Sequence, residues 1–575
     1  MKKLLILAFF IITPAVAFGP KTIIPIRSQA VNYARELCGW EQKTHLYNEC
    51  EQNYGTISFA IEYGRTFSAS KMANMLFGGE CVSISGSSSF ERNQTDVLAD
   101  YFGLPRDYKS VMRVAPLISN AVFDLDWYMG FDEWVQGLYL SLHTPIACTA
   151  WALNPSETVI NPGSAIDPAG YMGSETIARS GLPATILSAW QGLTTFGDMQ
   201  EPLEYGLILE RETMSRVTEI QLSVGWDFLQ DSEYHLGAFV RGAVPTGNYR
   251  KARYLFEPVV GNDHHATFGG GFTGHWIFWQ DQEYDQSFGI YGVAVVEHLF
   301  NVKEKRSYNF INGLGSRFML LQEIQPQQDQ DPAQQLFFGA EQAAFQYTGR
   351  LIPAINQTTF DSIIKVSVQS DIAIELTYTC GKWLCDIGYE FWGRSAEQLV
   401  CRDRFPLNQF VLKGDAQIYG FDQITEFPVA LSTSQHEATI YGGQGSGNST
   451  FVNANADNFS PAFTSGGADV LNNLTTGDAA ALFIPVAQIN SSNPPLFLSD
   501  ADIDDNSALV AKAISHKIFI YLGGAFHACD DPWFKDHTID IYAGIGASVE
   551  WACHCFKENS ALSEWAAWAR VGVSF

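Results

Sequence analysis

Glu564-Trp-Ala-Ala-Trp-Ala-Arg-Val-Gly-Val-Ser-Phe575 decides how this chain is read. From Trp565 every second residue, Ala567, Ala569, Val571, Val573 and Phe575, is apolar, while Ala566, Trp568, Arg570, Gly572 and Ser574 interleave mostly small or polar chemistry. A β-strand sends alternate side chains to opposite faces, so the pattern offers one face to hydrocarbon and one to a wetter interior. Three more stretches share this grammar. In 364–378, Ile364, Val366, Val368, Ile372, Ile374 and Leu376 oppose Lys365, Gln369, Asp371, Glu375 and Thr377. In 538–551, Ile539, Ile541, Ile545, Val549 and Trp551 oppose Asp540, Tyr542, Ser548 and Glu550, and in 218–228 Ile220, Leu222, Val224 and Trp226 oppose Glu219, Gln221, Ser223 and Asp227.

A last strand that ends on Phe575, behind Val573 and Val571, resembles the C-terminal targeting signature of Gram-negative outer-membrane β-barrels. The segments Leu98-Ala-Asp-Tyr-Phe-Gly-Leu-Pro105, Ala243-Val-Pro-Thr-Gly247, Phe256-Glu-Pro-Val-Val-Gly-Asn262 and Ala561-Leu-Ser-Glu-Trp565 look like those of a porin-like group of large barrels of this kind. The likeness runs from about residue 25 to the end, apart from the acidic loop 421–510, and it implies a fold rather than a ligand. It also implies export, insertion by a barrel-assembly machinery, and contact with outer-membrane lipid and lipopolysaccharide. Self-association is left open.

The other terminus agrees. Lys2 and Lys3 precede the apolar run Leu4 to Ile12, and Ala15-Val-Ala17 supplies small residues for cleavage, so 1–17 reads as a signal peptide. The run is too short for a spanning helix, which needs about 18 residues or more. Past Ala17 no apolar stretch is long enough either, so membrane residence has to be by barrel. Composition fits an exported β-rich chain: 13% aromatic, with 49 Gly, 40 Phe and 23 Tyr. Mean hydropathy is −0.03, as expected when only alternate strand residues meet lipid. The formal net charge of −27 argues against nucleic acid as a partner, because phosphates demand basic surface.

The expected fold is all-β: a transmembrane antiparallel up-and-down barrel of about 16 strands, in a range of about 12 to 18. Weaker strand patterns at 55–64, 120–128, 133–143, 204–211, 234–244, 266–278, 286–298, 306–320, 336–348, 383–393, 409–420 and 511–526 complete that count. The domain reading is a periplasmic N-terminal segment at 18–54 and a barrel over 55–575. Long external loops fall at 65–119, 144–203 and 421–510, and periplasmic turns at 129–132, 212–215, 299–305 and 528–537. Trp127, Trp226, Trp276, Trp551 and Trp565 suit interfacial girdles. The competing architecture, a soluble β-sandwich, would have to bury every apolar face.

Alternation assigns the lumen to Asp124, Asp126, Glu219, Gln221, Asp227, Lys365, Gln369, Asp371, Glu375, Asp540, Glu550 and Arg570. Acids dominate that set, which predicts a porin-like channel for passive diffusion of small hydrophilic solutes with mild cation preference. Loop 144–203 is a candidate to fold inward and narrow it. The second reading makes the barrel an anchor for a surface adhesin or a disulfide-cross-linked coat. Ten cysteines in an exported chain point to disulfides, with Cys38–Cys50, Cys81–Cys148 and Cys380–Cys385 as candidate pairs. The stretch 414–511 holds no Lys or Arg, and Asp500, Asp502 and Asp504 within it are a weak calcium candidate. No other cofactor is expected. Enzymatic chemistry is not expected either: Asn262-Asp-His-His265 and Asp536-His537 are dense in polar groups, but no serine sits in a nucleophile elbow.

Overall fold

The structure, a computed structural model, describes residues 21–40, 53–165, 167–281, 283–326, 345–421, 428–430, 434–443, 495–530, 538–553 and 559–575. The leader at 1–17, Cys50, the pair Asp536-His537 and most of 421–510 lie outside those residues. Twelve strands close a ring: β1 (Tyr54–Thr66), β2 (Leu117–Gly130), β3 (Leu138–Ala152), β4 (Glu219–Gln230), β5 (Tyr234–Pro245), β6 (Thr267–Asp281), β7 (Gln286–Ser307), β8 (Thr359–Cys380), β9 (Trp383–Arg394), β10 (Ala513–Asp530), β11 (Thr538–Ala552) and β12 (Glu564–Ser574). Each pairs antiparallel with its sequence neighbours, and β12 returns to β1, so the ring is an up-and-down meander without a free edge. That closure excludes a sandwich.

At the seam, Phe575 N donates to Gly55 O at 2.9 Å and Gly55 N to Phe575 O at 2.8 Å. The Phe575 ring lies so close over Gly55 that an added Cβ would stand 2.9 Å from it. Val571 and Val573 point outward from the same strand.

The expected count of about sixteen is corrected to twelve. The patterns at 204–211 and 409–420 do not enter the ring, 306–320 contributes only Arg306 and Ser307 to it, and of 336–348 only 345–348 are among the described residues and pair elsewhere. Leu320–Pro326 pairs instead with Phe345–Pro353 and Phe410–Leu412 in a separate three-stranded sheet. Leu320, Leu321 and Leu412 are buried there. Alternation reports that one face is apolar; it does not report whether lipid or protein covers it. Two expected turns are corrected as well. Residues 299–305 lie within β7, and 212–215 lie within Arg211–Val217, a strand that pairs with β3 outside the ring.

The strands β7 and β8 each run 22 residues, about 70 Å at the usual rise, and so stand well proud of any bilayer. Around that projection the described parts of the connections 67–116, 153–218, 308–358 and 395–512 fold into a cap. Met72, Leu104, Tyr171, Ile186, Leu321 and Leu412 are among its fully buried side chains. The first of these connections nearly matches the expected loop 65–119, whereas the one read at 144–203 begins only after β3 ends at Ala152. It does not enter the pore: Met172, Ile186 and Trp190 from it are core residues of the cap. The turns linking the other strand ends are short, from 131–137 to 381–382.

Candidate functional site

Residues 21–40, part of the 18–54 segment read as periplasmic with its plugging of the barrel left open, thread the barrel. The segment starts among the long connections: Lys21 N donates to Met75 O at 2.7 Å and Thr22 N to Ser507 O at 3.0 Å. Ile24 and Ile26 join the cap core. It ends near the short turns, where Trp40 stacks on His235 with 5.7 Å between centroids and Gly39 N donates to Asp386 at 2.9 Å. Midway it makes α1 (Tyr33–Leu37), one helical turn whose N-cap Asn32 accepts from Arg35 N. Arg570 of β12 closes the other end, donating to Arg35 O and, at 2.7 Å, to Cys38 O. Carbonyls that a short helix leaves orphaned are therefore satisfied by the wall. Beyond them, Gly39 takes a left-handed φ of +69° against the ring of Tyr521, a turn that favours glycine.

Charge holds this strap in place. Register sets Glu390 of β9, Lys517 of β10 and Glu550 of β11 directly abreast. Arg27 reaches across them, to Asp371 at 2.5 Å, to Glu550 at 3.1 Å and to Glu390. Lys517 adds contacts to Glu390 at 3.0 Å and Glu550 at 3.2 Å. Further along, Arg35 meets Asp124 at 2.7 Å and Glu62 at 2.8 Å, and Asn32 also donates to Glu62. His143 lies 2.6 Å from the second Asp124 oxygen. Arg241 meets Glu36 at 3.3 Å and the Tyr33 hydroxyl. A buried charge costs several kcal/mol unless paired, so the acidic wall and the basic strap need each other. Two pockets flank the strap, one beside Arg27 and Asn32 and one beside Glu36 and Trp40.

The outer face is the opposite in character. Phe59, Ile61, Phe123, Leu222, Val224, Ile374, Ile545 and Val571 all point away from the lumen and are exposed. Trp226 and Trp276 stand outward near the short turns, and Trp551 and Trp565 near the cap, with Tyr63 against Trp565 at 5.8 Å. An apolar belt between two aromatic rings around a polar lumen is the build of a lipid-embedded barrel. The chain is an outer-membrane-type β-barrel.

No protein-family model matches the sequence, and no curated protein does. Among solved structures, the barrel is similar to an outer membrane channel from Pseudomonas putida F1, at 8% identity over 92% of this chain and 98% of that one, with a TM-score of 0.34. It is also similar to a FadL homologue from Pseudomonas aeruginosa, at 6% identity over 91% and 90% of the two chains and a TM-score of 0.25. A mutant of TodX, a monoaromatic hydrocarbon channel, matches at 6% identity over the same shares with a TM-score of 0.27. These likenesses carry no ligand and no residue role to this barrel.

Of the expected lining residues, Asp124, Asp126, Glu219, Gln221, Asp227, Gln369, Asp371, Glu375, Glu550 and Arg570 share the inward face, and half-buried Asp540 lies at its short-turn end. Lys365 is corrected. Between Val366 and Gln369 a bulge sets two residues of β8, Ser367 and Val368, against one of β7, His298. The extra residue reverses the alternation, so Ile364 and Val366 turn inward, both fully buried, and Lys365 takes the other face. Sequence reasoning missed Glu62, His143, Arg241, Glu390 and Lys517, although alternation within the weaker strand patterns contained them. It also missed Arg27 and Arg35, whose signal was the two arginines of an N-terminal segment in an acid-rich chain.

Thiols of Cys81, Cys148, Cys380 and Cys385 are free. Across the tight turn Cys380 faces Trp383 and Cys385 faces Tyr378, so the two are offset diagonally rather than opposed. Cys38 is buried in the lumen beside Glu375 and Asp386. Asp500, Asp502 and Asp504 are not drawn together: Asp500 accepts from Arg402 and Phe405 N, Asp502 from Ser499 N, and Asp504 from Asn506 N. The Asn262–His265 cluster is an anchor. Asp263 binds Arg250 at 2.6 Å, which itself donates to Ile24 O of the strap. Burial alone would push the Asp263 carboxyl up, but Arg250 beside it holds it well below the usual range. Burial brings His265 down to about 4, leaving a neutral ring bonded to Phe300 O. Gly261 N donates to Gln29, so the 256–262 motif grips the strap directly.

Proposed function

We propose that this barrel is an outer-membrane channel held shut by its own N-terminal segment. The observation that carries the reading is the path of residues 21–40, which run from cap to turn end with Arg27 and Arg35 spent on wall carboxylates. Passage then requires the strap to shift. Once it does, Glu62, Asp124, Asp371, Glu390 and Glu550 face water without their partners, and the cation preference expected of a carboxylate-lined pore follows. Export by the cleaved leader, assembly by the barrel machinery, contact with lipopolysaccharide and any self-association belong to the same proposal, with the cap on the external side. Planar-bilayer recordings test it. The intact protein should conduct rarely, and the double variant Arg27→Ala/Arg35→Ala should conduct more and select cations. Equal conductance in the two proteins would sink the gate.

The alternative, a barrel that serves as an anchor, is favoured by the size of the folded cap and its buried core. Removal of 421–510 discriminates. Loss of attachment to a host or neighbouring surface with conductance intact would make the cap the working part.

A further inference from the structure

The cap holds an open pocket, about 850 Å³ with the solvent at its mouth included, that no part of the channel reading uses. It lies between the helix Ala69–Phe77, the strand Cys81–Ser85, Trp190 and the 3₁₀ turn Ser316–Phe318. Its wall is apolar and aromatic, with Leu76, Phe77, Val82, Phe102, Trp190 and Phe318 prominent. One residue in that wall is out of keeping. Arg317 is 1% exposed, and its hydrogen bond is to the neutral amide oxygen of Asn309, at 2.8 Å.

Among the described residues, two other buried cations of the cap, Arg106 and Lys413, make no ion pair either, but both act on the buried carboxyl of Asp167, and two at the rim are paired outright. Arg250 has Asp263 and Arg306 has Glu304 and Glu397. Among the described residues no carboxylate lies within ion-pair distance of Arg317. Burial draws its pKa down to about 9, with no acid nearby to raise it. A guanidinium left in an apolar wall without a counter-charge is costly, and a planar fork of donors is matched best by a carboxylate.

We propose that this cavity binds an apolar monocarboxylate of the fatty-acid type, its carboxylate on Arg317 and its hydrocarbon on the wall formed by Leu76, Phe77, Val82, Phe102, Trp190 and Phe318. The charge requirement excludes neutral hydrocarbons as the best ligand, and the apolar wall excludes small hydrophilic anions. Arg317 also lines a second cavity that touches Thr22, Ile23 and Ile24, so the bound carboxylate would sit one side chain from the start of the strap. The site does not depend on whether the lumen conducts.

Calorimetric titration of the full-length protein in lipid nanodiscs tests it, with empty discs as the blank and octanoate, octanol and acetate as probes. Octanoate should bind saturably and at least tenfold more tightly than octanol, and acetate should not bind. Arg317→Met should remove the advantage of octanoate over octanol. Val82→Trp, which fills the cavity and leaves the guanidinium in place, should weaken octanoate and octanol alike. Equal affinity for the acid and the alcohol in the parent protein would overturn the proposal, as would octanoate binding that survives in Val82→Trp. Because the readout is affinity, a channel that never opens leaves this result intact, and absent binding leaves the gate standing.

Discussion

Arg35 has no surface in water and lies 2.7 Å from Asp124 and 2.8 Å from Glu62. Its replacement by Met would leave two buried carboxylates short of their main cation, a change that typically costs about 3–5 kcal/mol. Arg35→Met should therefore loosen the strap and expose residues 33–40 to limited proteolysis from the short-turn side; protection equal to that of the parent would refute the pairing. In the cap, Asp167 is buried. Burial pushes its carboxyl up to about 7, Asp100 nearby adds to this, and Arg106 and Lys413 oppose it. A raised acid pKa means the folded state keeps a proton that the unfolded chain has lost, so its contribution to stability is whole below about 4 and declines as pH rises through 7. Melting temperature should fall between pH 5 and pH 8, and Asp167→Asn should flatten that fall. An unchanged slope in the variant would remove Asp167 as its cause. Residue roles were half legible in the sequence. Alternation placed Asp124, Asp371, Glu550 and Arg570 on the inner face because parity is local, but it could not pair them with Arg27 or Arg35, since those contacts span from 89 to 535 positions.

At the scale of elements, the four sharpest strand patterns, at 218–228, 364–378, 538–551 and 564–575, became β4, β8, β11 and β12 with nearly the expected bounds. Water on one side and lipid on the other write the longest alternations, and those are the easiest to read. What failed was telling a lipid-covered strand from a cap-covered one, as Leu320–Pro326 and Phe410–Leu412 show. The bulge that turns Lys365 was invisible, because an insertion of one residue in register leaves no composition signal. The short helix α1 also went unread. Five residues cannot sustain a helix alone, and this one is fastened by Asn32 and Arg570 at its ends. Its exit depends on Gly39, whose added Cβ would meet Tyr521 at 3.2 Å. A branched side chain in the left-handed region costs about 1–2 kcal/mol, so Gly39→Val should speed amide exchange in 33–40 while leaving the strands protected. Exchange unchanged from the parent would mean that the turn tolerates a side chain.

At the scale of the whole molecule, the inward and outward faces make incompatible demands, and only a closed ring in hydrocarbon meets both. The lumen pairs its charges with a strap from the same chain, whereas the outer face has no protein to cover Phe59, Ile61, Phe123 or Ile545. The number of strands could not be read because each weak pattern adds or removes a stave without changing any other. The direction of the strap could not be read at all. Two positions on one strand test the ring's setting. Ile545 is central in β11 and points outward, and Ile541 points the same way close to the short turns. Arginine at the mid-plane of a lipid-facing strand costs about 2–4 kcal/mol, falling to roughly 0–1 near the interface. Refolding titrations in phospholipid vesicles should therefore find Ile545→Arg destabilised by the larger amount and Ile541→Arg by the smaller. A water-facing surface would accept both arginines at little cost, so two small and equal penalties would remove the bilayer from this barrel's exterior and, with it, the channel.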